Sequence, residues 1–263
     1  MGGTTLNFCE LNRTRPAVEV MDGVVYPINP QVHAGDDRSV TENVLAQAET
    51  VRTARSFSAG RPIVVSPITL KPQLNPVGGP EESALEALPA SVDPRQMSLL
   101  GAAWTVGSIA SLACTGASSL TYYETTGWRG LMERAGGSPL PELFPSVPGM
   151  VFPLYHVFAD VAEWRDGRLV NCSTDHPLIV AALAVQTSSS LHLLVANLAA
   201  GPQSIICRSL PGSSASIRRL DLQTVRGAVL EPESFRRGRE KAVIQQGEVV
   251  LDLGPYATLR TDL

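Results

Sequence analysis

The sequence has few of the features that narrow a function at once. It holds four cysteines, at positions 9, 114, 172 and 207, and no CxxC pair. That spacing excludes a zinc ribbon or a thioredoxin-type motif, so the thiols read as reduced, mostly buried small residues of a cytoplasmic protein. No apolar run is long enough to span a bilayer. The segment MGGTTLNFCELNRTRP lacks the basic and apolar regions of a secretory signal. Charge is nearly balanced, at a formal net -4. The densest basic run, FRRGREK at 235–241, is interrupted by Glu240 and reads as a solvated turn. Neither a nucleic acid nor a membrane surface is therefore expected as a partner. There is no GxSxG elbow and no phosphate loop. His33 precedes Asp36 and Asp37 with no second histidine nearby, so no metal and no other cofactor is expected.

What is present is an alternation of strand and helix signals. TTLNFCELN and GVVYPINPQVH each read as an apolar strand ending in polar residues. A helix is predicted next, opened by Ser39 and Glu42 at capping-box spacing and striped by Val40, Val44, Leu45, Ala48 and Val51. RPIVVSPITL is a buried strand, followed by a Pro- and Gly-rich loop from Lys71 to about Ser91. Asp93-Pro94 opens a second helix through Leu100 and Trp104, which stops near Gly116. SLTYYETTGW follows as a strand whose end carries Glu124, and a short helix covers roughly 151–162. Such alternation implies parallel strands with helical crossovers, and in these folds chemistry sits at the C-terminal ends of the strands.

From about Trp164 the segments become short, β-rich and turn-punctuated, which fits an all-β sandwich; Gln245-Gln246-Gly247-Glu248 reads as a hairpin turn. The expected fold is α/β plus all-β. Residues 1–164 form a partial (β/α)8 barrel of TIM type, and 165–263 form a C-terminal β-sandwich. Four strands are half of what a complete barrel needs, so the first part reads as the second half of one. A missing N-terminal barrel half, or self-association, is the expected completing partner.

The strings FCELNRTRP, INPQVHAGDD, VDPRQMSLLGAAWTVGS, TYYETTGWRGLME, GSPLPELFPSVPGMVFPLYHVFADV and LGPYATLRTDL resemble the D-apionate lactonase family over nearly the whole chain. The resemblance implies a glycosidase-like barrel with a C-terminal sandwich. It implies hydrolysis of D-apionolactone to D-apionate in apiose breakdown, with a small sugar lactone as substrate. It also implies an upstream domain and the first barrel strands, which this sequence does not show.

Lactone hydrolysis is acyl transfer to water and needs a base for the water, donors for the oxyanion and an acid for the leaving oxygen. Glu10 and Glu124, at the ends of the first and last visible strands, are the candidate acid and base in neighbouring sectors of one barrel mouth. The aromatic flanks of Glu124 would desolvate it and raise its pKa. The alternatives are an ion pair of Glu124 with Arg129 or Arg13, and of Glu10 with Arg13 or Arg15. His33 is a candidate oxyanion donor or base. Asn12, Asn29 and Gln31 suit substrate hydroxyls, or else fix loop backbone. Tyr123 and Trp128 are candidate sugar contacts, Trp128 as a platform or else as a core or lid residue. Two other functions remain open: a glycoside hydrolase with two carboxylates on the same architecture, and an inactive barrel fragment.

Overall fold

A computed structural model of the chain describes residues 1–73 and 87–263. Most of the loop expected between Lys71 and Ser91 lies outside the described residues. The chain divides into two compact units, Met1–Gln96 with Ser111–Gly149, and Met97–Ala110 with Met150–Leu263. Among the described residues no helix is long and apolar enough to cross a membrane.

The first unit is built on a sheet in the order β1-β2-β3-β4, formed by Gly2–Gly3, Val24–Ile28, Ile63–Ile68 and Ser119–Tyr122. All three pairings are parallel. The central strands are rich in β-branched residues, and Val24, Tyr26, Ile63, Val65 and Ile68 are buried. Helix α1 (Phe8–Arg13) follows β1, and α2 (Asp37–Glu42) and α3 (Val44–Phe57) cross over from β2 to β3. In the chain, a 3₁₀ turn, Pro94–Met97, and helix α4 (Leu99–Ala113), most of which belongs to the second unit, precede β4.

Helix α3 buries Val44, Gln47, Ala48, Val51 and Ala54, the three-to-four spacing of a helix seated on a sheet. Leu45 falls off that stripe and is exposed. Asp36, not Ser39, is the cap: its carboxylate accepts from the Ser39 backbone N at 3.0 Å and from Ser39 Oγ at 2.6 Å. Arg38 takes Glu42 as an i,i+4 partner instead. Asp93 caps the 3₁₀ turn by accepting from Arg95 N at 2.9 Å, and the α-helix itself begins only at Leu99.

The first segment departs most from the pattern read in the sequence. Strand β1 is two residues long. Asn7 Oδ1 accepts from Glu10 N at 3.2 Å and caps α1, with Glu10 in its first turn and Arg13 in its last. Both charges suit the helix dipole, and burial of Leu11 favours the helix further. Glu10 therefore sits on a helix and not at the end of a strand.

The second unit carries helix α5 (Pro153–Glu163) and the antiparallel strands. These are β5 (Arg168–Val170), β6 (Val180–Gln186), β7 (Leu191–Asn197), β8 (Gln203–Cys207), β9 (Ser214–Leu220), β10 (Glu240–Val243), β11 (Val249–Leu253) and β12 (Thr258–Asp262). One sheet runs β10-β9-β12-β7-β6-β5 and the other pairs β11 with β8. Val195, Ile217, Val249, Leu251 and Leu259 meet in the core between them. Burying each such side chain contributes about 1.5–3 kcal/mol. Gln245 and Glu248 exchange backbone hydrogen bonds of 2.9 Å across the expected hairpin turn. Between β9 and β10 lie two short helices, α6 (Val225–Leu230) and α7 (Pro232–Arg237), which the basic run had not suggested.

That run is not simply a solvated turn. Arg236 on α7 reaches Asp160 at 3.1 Å and also pairs with Glu163. Asp160 further accepts from Arg218 through both oxygens at 2.6 Å and from Arg260 at 2.8 Å. Asp160 and Arg218 are about as buried as the apolar core. Cations collected from β9, β12 and α7 thus converge on one carboxylate of α5. His156, one turn earlier on α5, donates through Nε2 to Ala228 O, 3.0 Å away. Burial, helped by Arg218 and Arg236, pushes its pKa down to about 4, although the Ala228 contact and Asp160 act the other way.

The cysteines also differ from the reading above. Cys9, Cys114 and Cys172 are exposed, and Cys207 is partly covered. Cys9 faces outward on α1 and Cys114 stands just past the end of α4, so chain position outweighed the apolar preference of the thiol.

Two measurements check the charge cluster. Asp160→Asn strands several guanidiniums without their shared anion, and urea unfolding should show a loss of about 3–5 kcal/mol. His156 is neutral when folded down to about pH 4 but gains a proton near 6.5 when unfolded. Stability should therefore fall as pH drops through that window, by about 3 kcal/mol in all, and His156→Gln should flatten this slope.

Candidate active site

The candidate site is built by the chain just beyond β4. Tyr123 takes a left-handed φ of 45°, which ends the strand and turns the backbone. The next residues close on themselves. Glu124 N donates to Arg129 O at 2.9 Å, Gly127 N to Met132 O at 2.8 Å, and Leu131 N to Thr125 O at 3.1 Å. A side chain at Gly130 would put its Cβ 2.7 Å from the Thr126 backbone, so only glycine lets the two sides of this loop meet.

The loop faces a cleft of about 160 Å³, lined among others by Glu124, Trp128, Arg129, Glu133, Arg134 and Pro139. Arg129 grips Glu124 through Nε at 2.9 Å and Nη2 at 2.8 Å, and both contacts end on Oε1. The remaining Arg129 nitrogen, Nη1, donates to Ser91 Oγ at 2.9 Å and fixes the guanidinium from behind. Oε2 is left outside this grip. Trp128 is held by its indole N–H, which donates to Ser138 Oγ at 2.9 Å, and its ring tilts against Phe144 at 6.2 Å. Glu133 is buried; its oxygens accept from Arg134 N and from Ser146 Oγ, so it braces the loop.

Of the residues singled out in the sequence, Glu124 and Trp128 are brought together in this cleft. Glu124 meets the guanidinium of Arg129, so the alternative of an ion pair with Arg129 is the one the structure shows. Tyr123 is buried and does not line the cleft, because its left-handed backbone breaks the alternation of the strand.

Glu10 pairs with Arg13 at 2.6 Å on α1. Strands β1 and β4 are separated by β2 and β3 and occupy opposite ends of the sheet order. At about 4.8 Å per strand, the two elements lie roughly 14 Å apart, which is not the neighbouring arrangement expected for the two glutamates. Asn12 accepts from Arg15, just past the end of α1, at 3.2 Å. Asn29 accepts from Gln31 N at 3.3 Å, and Gln31 is itself bound to Leu70 O, Asp93 and Arg95. Burial would raise the Asp93 carboxyl, but hydrogen bonds from Arg95 and Gln31 outweigh it and hold it below its usual range. Asn29 and Gln31 thus brace loops, and His33 lies exposed in the same segment.

Sequence reasoning passed over Glu133 and Arg134. The available signal was the string RGLMER at 129–134, which places charges of both signs directly after the aromatic loop.

A model of the D-apionate lactonase TIM barrel domain matches residues 1–166, and one of the D-apionate lactonase C-terminal immunoglobulin-like domain matches 177–261. The chain belongs to the D-apionate lactonase family. A D-apionate lactonase from Brucella anthropi is 28% identical over 188 residues, 68% of this chain but 29% of that protein's length. The chain therefore spans less than a third of that relative. Among solved structures, an arabinofuranosidase of glycoside hydrolase family 51 from Xanthomonas axonopodis pv. citri aligns with a TM-score of 0.60 at 13% identity, covering 99% of this chain and 56% of its own. The glucanase-xylanase CelM2 from a metagenome library gives 0.58 at 10%, covering 92% and 43%. At these identities the likeness is one of fold: a glycosidase-like barrel portion followed by a β-sandwich domain.

The closure of the loop gives a direct check. Gly130→Ala forces Thr126 and its neighbours apart and should lower stability by about 1–3 kcal/mol, with a changed Trp128 fluorescence. Gly136→Ala, where an added Cβ meets nothing within 4 Å, is the silent control.

Proposed function

We propose that the cleft beyond β4 opens a small sugar lactone, D-apionolactone in the family's activity, with Glu124 as the base that activates water. The observation that carries this reading is a carboxylate with one oxygen clamped and the other outside the clamp, set beside Trp128 in a cleft of about 160 Å³. A cavity of about 150 Å³ takes one six-membered ring, so a single sugar ring suits this volume and a polysaccharide chain does not.

Water positioned by Oε2 attacks the lactone carbonyl carbon as Glu124 takes its proton. The ring C–O bond breaks, and the leaving oxygen takes from Glu124 the proton that it removed from water, becoming a hydroxyl. Arg129 acts as a positioning residue, since its hold on Oε1 sets which oxygen faces the water. Trp128 offers an aromatic face to the C–H face of the sugar. The buried Glu133 is engaged through both oxygens and serves the loop.

The glycoside hydrolase reading has support from the architecture of the solved relatives. It needs a second carboxylate about 5–10 Å from the first, and the placement of Glu10 does not favour that.

The test is lactone opening followed by NMR above the spontaneous rate, in this chain and in the chain extended upstream to the length of the Brucella relative. Glu124→Gln should reduce turnover by at least about 10²-fold with the unfolding midpoint unchanged. Near-normal turnover in that variant would remove Glu124 from the mechanism. Trp128→Ala should raise KM more than it lowers kcat if the indole is a platform.

A further inference from the structure

We propose that Arg134 is the carboxylate-binding residue of this cleft, a guanidinium placed to meet the negative charge that appears on the acyl group as the lactone opens. The inference rests on the lactone-opening reading and adds a specificity for anionic, open-chain sugar acids.

Two cations line the cleft, and they are differently employed. Arg129 is committed to Glu124 and Ser91. Arg134 forms no ion pair among the described residues, although its side chain lines the same cleft. Its backbone is nevertheless anchored. Its backbone N donates to Glu133 Oε1 at 2.7 Å, and its carbonyl accepts from Gly137 N at 2.9 Å and Gly149 N at 3.0 Å.

The side chain lies along Gly127. A Cβ at that position would sit 3.0 Å from Arg134 Nε and 3.4 Å from Nη2. Gly127 has a left-handed φ of 85° and no side chain, so the guanidinium can lie over the backbone of the loop that carries Glu124 and Trp128. The result is a planar, bidentate donor that pairs with no anion among the described residues, next to a base and an aromatic face.

The chemistry specifies the missing anion. The lactone is neutral. Attack of water forms a new C–O bond and puts negative charge on the former carbonyl oxygen. Breaking the ring C–O bond gives a hydroxyl and a carboxylic acid, which loses its proton and remains as a carboxylate. A guanidinium gains interaction with each of these species and little with the starting ring. Its contribution therefore falls on the transition state and the product.

The experiment compares binding of D-apionate with that of its reduced, uncharged alditol, by calorimetry on this chain and on the upstream-extended one, alongside lactone opening. Wild type should bind the acid more tightly than the alditol. Arg134→Gln should weaken the acid by about ten-fold or more and leave the alditol unchanged, with kcat falling more than KM rises. Arg134→Lys should recover part of the acid binding through charge alone. Arg134 is exposed, and equal unfolding midpoints of the variants confirm an intact fold.

Equal acid affinity in wild type and Arg134→Gln overturns the proposal. So does a wild type that opens the lactone without preferring the acid, and in that case the lactonase reading stands. A wild type that prefers the acid through Arg134 but opens no lactone overturns the lactonase reading and keeps the carboxylate site. Binding of neither compound together with no lactone opening overturns both.

Discussion

Parallel hydrogen bonding between β1, β2, β3 and β4 sets the direction of every loop in the first unit. In an antiparallel sheet, successive strand ends would alternate between two edges. Here the ends of β2, β3 and β4 all release their chains on one side, and the segments after them brace one another. Gln31, after β2, is tied to Leu70, after β3, and to Asp93. Ser91 holds Arg129, which holds Glu124 after β4. The carboxylate proposed as the base is thus positioned by a chain of contacts that exists because the strands share a direction.

Within that arrangement, the cleft depends on short-range backbone closure more than on apolar packing. Gly130 lets the two sides of the loop meet, Gly127 leaves room for a guanidinium, and Tyr123 turns the backbone at the end of the strand. Charged groups then divide into two kinds. Glu133 and Arg129 are satisfied by the protein and give the loop its shape. Arg134 and the second oxygen of Glu124 stand outside those networks, where a ligand can use them.

The second unit solves a different problem with the same chemistry. Asp160 gathers Arg218, Arg236 and Arg260 from separate elements, and its burial makes each of those contacts strong and any unpaired member costly. This cluster fixes helix α5 against β9, β12 and α7, while the apolar core between the two sheets supplies most of the driving force. His156 is drawn into the same region and stays neutral because charging it would add another buried cation.

The sequence by itself determined the class of fold and most of its elements. Period-two and period-3.6 patterns are local, and β2, α3, β3, β4, α5 and the hairpin at 245–248 all follow them. It also placed Glu124 and Trp128 beyond the end of a strand. It did not determine what Glu10 would be, because a two-residue strand and an asparagine cap compete over the same short stretch. The cap is settled by Leu11 finding a buried place. Nor did it show that Arg236 is drawn into a half-buried ion cluster, since the partners Asp160 and Glu163 lie more than seventy residues away. The cleft itself was decided only by tertiary structure. Which oxygen of Glu124 is held, and which arginine of the cleft holds it, depends on distances between side chains that no spacing along the chain encodes.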